Sequence, residues 1–282
     1  FSKVTKEVMK QQNDKKKGSM PYGFTFQADV YEGLSCCDFN EFMTSWGGAY
    51  FGDLSNLFGP IGNRPVTVAE KPVVDSIKMI RTFIHGSDAP NTLDGYAGSI
   101  SPSSVLSWTE ETSRAPFTSG NAVMHRNWPY SIVINGAEEV FGKDLGVMPI
   151  PYGVKPNEAK YERTGGPVAA LGGWHATVNP NSPKREKVIE VLRAMMQRSF
   201  KLKMFEEIGW LPPEPDLLKT KRVRDVPVVG RYIDPLRVAG QNAVPRPVTA
   251  VWPQQSGRDR VSGNHVVGAK LRQLGPQFPV CA

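Results

Sequence analysis

One stretch of the chain, residues 66–84, has the apolar spacing of a helix. Its aliphatic side chains recur at intervals of four, three and four residues, at Val73, Ile77, Ile80 and Ile84. This spacing places them on one face, so it predicts an amphipathic helix with one buried side. Upstream, GFTFQADV alternates apolar and polar residues, which predicts a half-buried strand. The next segment, EGLSCCDFNEFMTSWGG, is typical of a helix that ends at a glycine pair.

The second half of the chain predicts further helices and short strands. Ser182 and Pro183 form the start of a helix, since a serine cap followed by proline favours a helix N-terminus. The apolar face of this helix comprises Val188, Val191, Leu192 and Met195. SFKLKMFEEIG predicts a helix ending at Gly209, and residues 228–240 predict another. AVMHRN indicates a strand or apolar turn, DLGVMPIP a short buried strand, and GGPVAALGGWHATV a strand-like segment.

Mixed strands and helices with long connections favour an α/β protein. The 282 residues are enough for one large domain or two small ones, and 40% hydrophobic with 22% charged residues is typical of a folded globular protein. The net charge is +7, but the basic residues are spread along the chain without interleaved aromatics. We therefore predict no nucleic-acid partner. No apolar run reaches the length that spans a membrane.

The cysteines and histidines do not predict a metal or cofactor site. Cys36 and Cys37 are adjacent, which is a poor arrangement for a disulfide and has no CxxC spacing. Whether Cys281 pairs with one of them stays open. The four histidines are scattered. The first residues, FSKVTKEVMKQQND, are amphipathic and charged, unlike a signal peptide, and begin as if within a helix. We expect the true N-terminus to lie elsewhere.

Aromatic residues recur where a predicted strand or turn gives way to a loop or helix, and they are the candidate ligand-binding residues. In α/β proteins the carboxyl ends of strands face the ligand crevice, and flat rings with neighbouring polar groups suit sugars. The alternative for each ring is ordinary packing, which is commoner for any one taken alone. The rings are Tyr31, Trp128, Tyr130, Trp174 and Trp252, and the polar groups beside them are Gln27, Asp29, Glu32 and Arg246.

The ordered succession of several segments resembles the extracellular solute-binding proteins of sugar ABC importers, of the maltose- and trehalose-binding type. WTEETSRAPFTSGNAVMHRNWPY resembles the family's helix, small-residue turn, apolar Ala-x-Met and Trp. GVMPIPYG resembles its strand ending in proline, and GGPVAALGGWHATVNPNSPKREKVIEVLRAM its glycine-rich return strand and capped helix. FEEIGWLPPEPDL and AVPRPVTAVW resemble two later segments. The resemblance covers residues 20–255.

This resemblance implies a periplasmic-binding-protein-like two-lobe α/β fold. The chain would supply most of the C-terminal lobe and an incomplete first lobe, because family members carry roughly a hundred more residues upstream, a domain-sized piece. We predict that residues 1–170 form the first part of the second lobe, that 171–212 cross to the first lobe, and that 213–282 return. The helices near the crossing segment would then expose apolar faces.

The resemblance also implies site residues and a function. Trp128 and Tyr130 match the family's cleft aromatics, Gly173 and Trp174 its Gly-Trp ligand pair, and Tyr31 its Tyr-Glu-Gly segment. Arg246 and Trp252 match less closely. The predicted protein is a non-enzymatic, monomeric binding component that captures a di- or oligosaccharide and docks on a membrane permease. It would be periplasmic or extracellular, with a lipid tether left open.

The alternative is a glycan hydrolase that uses two carboxylates as acid and nucleophile or base. Asp29 with Glu32 is one available pair, and Glu110 with Glu111 is another. Glu110 and Glu111 fall in the first turn of a predicted helix, where acidic residues complement the helix dipole. Asp29 and Glu32 are close in sequence, which does not ensure that they face each other across a substrate.

Overall fold

The computed structural model describes residues 1–60, 62–173, 175–214 and 216–249. Its α-helices are α1 Ser2–Lys15, α2 Phe39–Ser45, α3 Lys71–His85, α4 Glu110–Thr118, α5 Tyr130–Asn135, α6 Arg185–Met195, α7 Arg198–Ile208, α8 Lys221–Arg224 and α9 Ile233–Gln241. Its β-strands are β1 Tyr22–Thr25, β2 Ala122–His125, β3 Ala169–Ala170 and β4 Ala243–Val244. A π-helical turn, Gly33–Asp38, leads directly into α2.

The chain divides into two compact units, and it passes from one to the other several times. The first unit comprises Phe1–Arg126, Pro151–Gly166 and the stretch that begins at Arg246. The second comprises Asn127–Ile150 and Pro167–Pro245. These divisions differ from the three ranges predicted from the sequence, and the assignment of those ranges to lobes stays a prediction.

In the first unit, β1 and β2 form a parallel pair. Tyr22 is aligned with Ala122 and Thr25 with His125. The alternation in GFTFQADV predicts a half-buried strand, but Thr25 and Gln27 are as fully buried as Phe26. The reason is that parallel strands are covered on both faces, so their polar positions are enclosed as well. The prediction of a strand is confirmed, whereas the prediction of a solvent-exposed face is wrong.

Helices α1 and α3 enclose this strand pair. The Phe24 ring stacks on Phe26 at 5.2 Å between centroids and meets Phe83 of α3 edge to face at 5.8 Å. Gly23 lets α1 approach β1 closely, because a Cβ there would lie 2.5 Å from the Sδ of Met9. The predicted helix at 66–84 is confirmed as α3, where Val73 and Ile80 are buried.

In the second unit, the short strands β3 and β4 pair in parallel, with Ala169 opposite Ala243. The predicted strand in DLGVMPIP is wrong, because residues 145–150 have no strand pairing in the structure. Leu145 is buried, and its carbonyl accepts a hydrogen bond from the Tyr232 hydroxyl at 2.6 Å. The Leu145 carbonyl is therefore satisfied by a side-chain donor and not by a neighbouring strand.

The helices of the second unit differ sharply in burial. Helix α7 ends, as predicted, at Gly209, whose φ of 71° is the left-handed conformation that favours glycine at a helix end. Phe205 of α7 is fully buried. Helix α6 contains no buried residue, and Val191 on its apolar face is 58% exposed. The predicted exposure of apolar helix faces is thus confirmed for α6.

Candidate functional site

Gln27 follows β1 and lies in the interior of the first unit. Its exposed fraction is 0%, and its side-chain amide donates to Ser113 Oγ at 2.6 Å and to the Arg126 carbonyl at 2.9 Å. Its carbonyl oxygen accepts from Arg126 Nη1 at 2.9 Å. Gln27 is a predicted ligand-binding residue, but the structure gives its polar atoms protein partners, and its role is to hold Arg126.

Arg126 is the centre of a buried charged cluster. Its Nε and Nη2 donate to the two carboxylate oxygens of Glu41 at 2.7 and 2.8 Å, and its Nη1 lies 2.8 Å from Asp38 Oδ1. The other oxygen of Asp38 accepts from the backbone N–H of Gln27 at 2.9 Å. One guanidinium thus faces two carboxylates, and burial raises the pKa of Asp38 well above its usual range although Arg126 opposes the rise.

This cluster holds Arg126 in place at the end of the first stretch of the first unit. Asn127, the next residue, opens a segment of the second unit, so the cluster anchors the chain immediately before Trp128. For Arg126 itself, burial lowers the pKa, but the charges of Asp38 and Glu41 outweigh burial and raise the pKa overall. The guanidinium therefore stays charged.

Tyr31 lies beside this cluster, in a turn after Gln27. Its hydroxyl lies over Gly33, where a Cβ would come within 2.1 Å of the phenol oxygen, so a larger residue at position 33 would displace the ring. Burial raises the pKa of Tyr31 well above its usual range, and the negative charges of Glu110 and Asp38 add to the rise. The Glu110 carboxylate lies within hydrogen-bonding reach of this buried hydroxyl and raises its pKa further.

Asp29 and Glu32 flank Tyr31 and differ in exposure. The Asp29 carboxylate accepts from the backbone N–H of Val30 at 2.7 Å, and the Asp29 carbonyl accepts from the Tyr31 N–H at 2.9 Å. These bonds form the turn that orients Tyr31. Asp29 is half-buried, whereas Glu32 is exposed. Both carboxylates lie within two positions of the Tyr31 ring along the chain.

Arg246 belongs to the same unit and is half-buried. Its guanidinium acts on the Cys36 thiol through charge and a hydrogen bond. Cys36 lies in the π-helical turn that follows Tyr31 and Glu32. The structure therefore brings Arg246, predicted from a separate sequence segment, to the neighbourhood of the Tyr31 turn.

Trp128 and Tyr130 lie in the second unit, at the start of α5. Pro129 stands at the N-cap of this helix, where a missing N–H costs nothing. The Trp128 N–H donates to Asn127 Oδ1 at 2.8 Å, and its carbonyl accepts from the Ser131 N–H at 3.0 Å. Both aromatic residues are half-buried. Pro129 thus marks the start of α5 between the two aromatic residues. Each of the two rings has part of its surface accessible.

The glycine pair predicted to approach the ligand lies near Trp128. A Cβ on Gly172 would stand 4.0 Å from Trp128 Nε1, and one on Gly173 would meet open space. Both glycines are exposed. Trp174 and Trp252, which were also predicted as ligand-binding residues, lie outside the described residues. In the second unit the structure therefore groups Trp128 and Tyr130 with an unobstructed stretch of backbone.

Sequence reasoning missed Asp38, Glu41 and Ser113, which surround Arg126 and Gln27. These residues look like ordinary polar positions of helices, and no spacing links them to β1 or β2. Their partners lie far away in sequence, with Glu41 and Arg126 separated by 85 positions. The usable signal in the sequence was the pair of acidic residues, Asp38 and Glu41, in a segment otherwise rich in apolar residues.

A metal site and a membrane-spanning helix are two further features to consider in the described part of the chain. There, no group of three or more His, Cys, Asp or Glu side chains has a geometry that could hold a metal ion. None of the helices described is both long enough and apolar enough to cross a bilayer.

Comparison with known proteins finds similar sequences and similar folds. No protein-family model matches the chain. A probable ABC transporter-binding protein of Deinococcus radiodurans is 29% identical over 271 residues, which are 95% of this chain and 52% of that protein. The chain thus spans about half the length of the curated relative.

Two solved structures share the fold. Maltose-bound MalE3 of T. maritima superposes with a TM-score of 0.72 at 23% identity, over 94% of this chain and 59% of that one. The cyclic alpha-maltosyl-1,6-maltose binding protein of Arthrobacter globiformis gives a TM-score of 0.54 at 16% identity over the same shares. The predicted periplasmic-binding-protein-like α/β fold is confirmed, and in sequence and fold the chain resembles the solute-binding proteins of sugar ABC importers.

Proposed function

We propose that this chain is part of the substrate-binding component of an ABC importer and that it contributes to a site for a di- or oligosaccharide. The observation that carries the proposal is the 29% identity to an ABC transporter-binding protein over 95% of the chain, together with the fold of MalE3. Of the two solved structures, one is bound to maltose and the other is a cyclic alpha-maltosyl-1,6-maltose binding protein. We extend a sugar of that class to this protein.

Local chemistry supports a carbohydrate ligand. The half-buried rings of Trp128 and Tyr130 can stack on the C–H faces of a pyranose. The exposed backbone at Gly172 and Gly173 offers close approach without side-chain obstruction. In the other unit, the half-buried ring of Tyr31 can pack against a sugar, and Asp29, Glu32 and Arg246 can supply charge-assisted hydrogen bonds. Trp174 and Trp252 complete the proposed set. We give Gln27 an indirect role, through Arg126.

The remaining parts of the proposal follow from this binding role. Closure of two lobes about the ligand would create the form that docks on a membrane permease. The protein would act as a monomer in the periplasm or outside the cell. Binding requires no cofactor, since the free energy comes from stacking and hydrogen bonds set against the cost of ordering the cleft.

Isothermal titration calorimetry with maltose and a panel of other di- and oligosaccharides tests the proposal, using the full-length gene product. We expect Trp128→Ala to weaken the affinity for the bound sugar at least tenfold, about 1.4 kcal/mol, because one stacking face is lost. Tyr31→Phe should weaken it less, since only one hydroxyl is removed.

Trp210→Ala is the matched control, since Trp210 is also in the second unit and is largely exposed but is not in the proposed site. Its affinity should equal that of the wild type. Equal losses in Trp128→Ala and Trp210→Ala would contradict the placement of the site. No heat of binding with any sugar of the panel would contradict the sugar ligand itself.

The hydrolase alternative receives no support from the relatives, which are binding proteins. The Asp29 carboxylate bonds to the backbone of its own turn, and Glu111 pairs with Arg114 on helix α4 at 3.1 Å. Incubation with oligosaccharides followed by an assay for reducing ends tests this point. We expect no increase in reducing ends.

A further inference from the structure

The adjacent thiols of Cys36 and Cys37 face each other in the π-helical turn. Their Sγ atoms are 3.0 Å apart, and each residue is only 6% exposed. Adjacent side chains of an α-helix point in different directions, so this juxtaposition is not the ordinary helical one. π-Helical turns of this kind occur frequently at functional sites. Both cysteines are free thiols.

The surroundings favour one thiolate in this pair. A hydrogen bond from Cys37 lowers the pKa of Cys36 to about 7, with burial opposing and Arg246 adding to the effect. The pKa of Cys37 is raised, first by its hydrogen bond to Cys36 and then by burial. The two sulfurs therefore share one short contact beside the positive charge of Arg246, which favours the thiolate form of Cys36.

A disulfide between the two sulfurs is disfavoured by covalent geometry. Adjacent Cα atoms stand about 3.8 Å apart across a trans peptide, whereas a disulfide usually needs about 4.4 Å or more. The pair is thus kept as two thiols that can share a ligand. Soft thiolate ligands select soft elements, and a site with only two sulfurs close together suits a pyramidal centre better than a tetrahedral one.

We propose that Cys36 and Cys37 form a dithiol site that chelates trivalent arsenic, supplied as uncharged arsenous acid. Two As–O bonds break and two As–S bonds form. The two departing hydroxides leave as water with the two thiol protons, or with the Cys37 proton and one proton from solvent where Cys36 is already a thiolate, so one hydroxyl remains on arsenic and its oxidation state is unchanged. Arg246 is a positioning residue, since its charge favours the Cys36 thiolate, and the small neutral ligand suits a buried site.

Native mass spectrometry of the full chain with arsenous acid at pH 7 tests this site. We expect one arsenic per chain, and partial proteolysis should place the adduct on the fragment that holds residues 36 and 37. Cys36→Ser and Cys37→Ser should each weaken binding about a hundredfold, because the second As–S bond forms at the high effective concentration of a neighbouring thiol.

Cys281→Ser is the control, since it removes a cysteine outside the pair, and it should bind arsenic like the wild type. Absence of an adduct on the wild-type protein would overturn the proposal. So would an adduct that maps elsewhere, or a loss in Cys281→Ser equal to that in Cys36→Ser. The fragment mapping uses only wild-type protein, so it decides the matter even where a substitution impairs folding.

Discussion

Helices α3 and α6 have similar amphipathic sequences but very different surroundings. In α3, of the first unit, Val73 packs beside Gly48 and Ile80 lies in the aromatic core, and they are 1% and 2% exposed. In α6, of the second unit, no residue is buried, and Val191 is 58% exposed. The apolar spacing in the sequence predicts both helices correctly, but it does not specify what covers their apolar faces.

The difference shows where each unit obtains its stability. The first unit surrounds a parallel strand pair with α1 and α3 and adds a buried ion cluster around Arg126. In the second unit, α7 contacts both α5 and α6, yet no residue of α6 is buried and its apolar face meets solvent. An exposed apolar patch of this kind marks an interaction surface or an aggregation hazard.

The largest expected effect comes from Arg126→Met, which removes the guanidinium between Asp38 and Glu41. We expect a loss of about 3–5 kcal/mol in the free energy of unfolding, because the buried side chains of Asp38 and Glu41 lose the positive charge that pairs with both of them. Urea denaturation at pH 7 measures it. Arg193→Met on exposed α6 is the matched control and should change the free energy by less than about 0.5 kcal/mol. Similar losses in both variants would contradict the comparison.

A second prediction concerns the loss of stability at low pH that arises from His125 of β2. The His125 ring stacks on Phe117 at 4.1 Å between centroids. Burial lowers the pKa of His125 to about 4, and the charges of Arg114 and Arg126 contribute. In the unfolded chain the His125 imidazole is protonated below about pH 6.5, whereas in the folded chain it is protonated only below about pH 4. The stabilising contribution is complete above pH 6.5 and is lost as the pH falls towards 4.

His125→Phe keeps the stacked ring and removes the titration. Relative to this variant, the wild type should lose up to about 3 kcal/mol in the free energy of unfolding between pH 7 and pH 4. Urea denaturation at a series of pH values gives both curves. Parallel curves would show that His125 is protonated in the folded protein as readily as in the unfolded chain.

The sequence predicts the fold well where the controlling interactions are local. The α3 spacing, the Gly209 helix end and the resemblance over residues 20–255 all come from neighbouring residues or their order. Local patterns do not identify Gln27 as a buried residue, because its partners Ser113 and Arg126 lie 86 and 99 positions away. Likewise, DLGVMPIP looks like a strand, but residues 145–150 pair with no strand, and the Leu145 carbonyl accepts from Tyr232, 87 positions away.

The same distinction between local sequence signals and long-range contacts applies to the candidate site. Tyr31, Trp128 and Tyr130 are predicted because rings at segment ends are visible in the sequence. The proximity of Gly172 to Trp128 and of Arg246 to Cys36 depends on chain crossings that no periodicity reports. Residue types therefore predict candidates, whereas their grouping requires coordinates.

The smallest expected effects come from a matched pair of valine truncations, which sharpens the comparison between α3 and α6. Val73→Ala empties space beside Gly48, where a Cβ would lie 2.7 Å from the Val73 Cγ2, and should cost about 2 kcal/mol in the free energy of unfolding. Val191→Ala removes exposed methyl groups and gains helix propensity, so it should be neutral or stabilising by about 0.5 kcal/mol. Urea denaturation of both variants measures the difference. A loss in Val191→Ala as large as in Val73→Ala would mean that a further layer of protein covers α6.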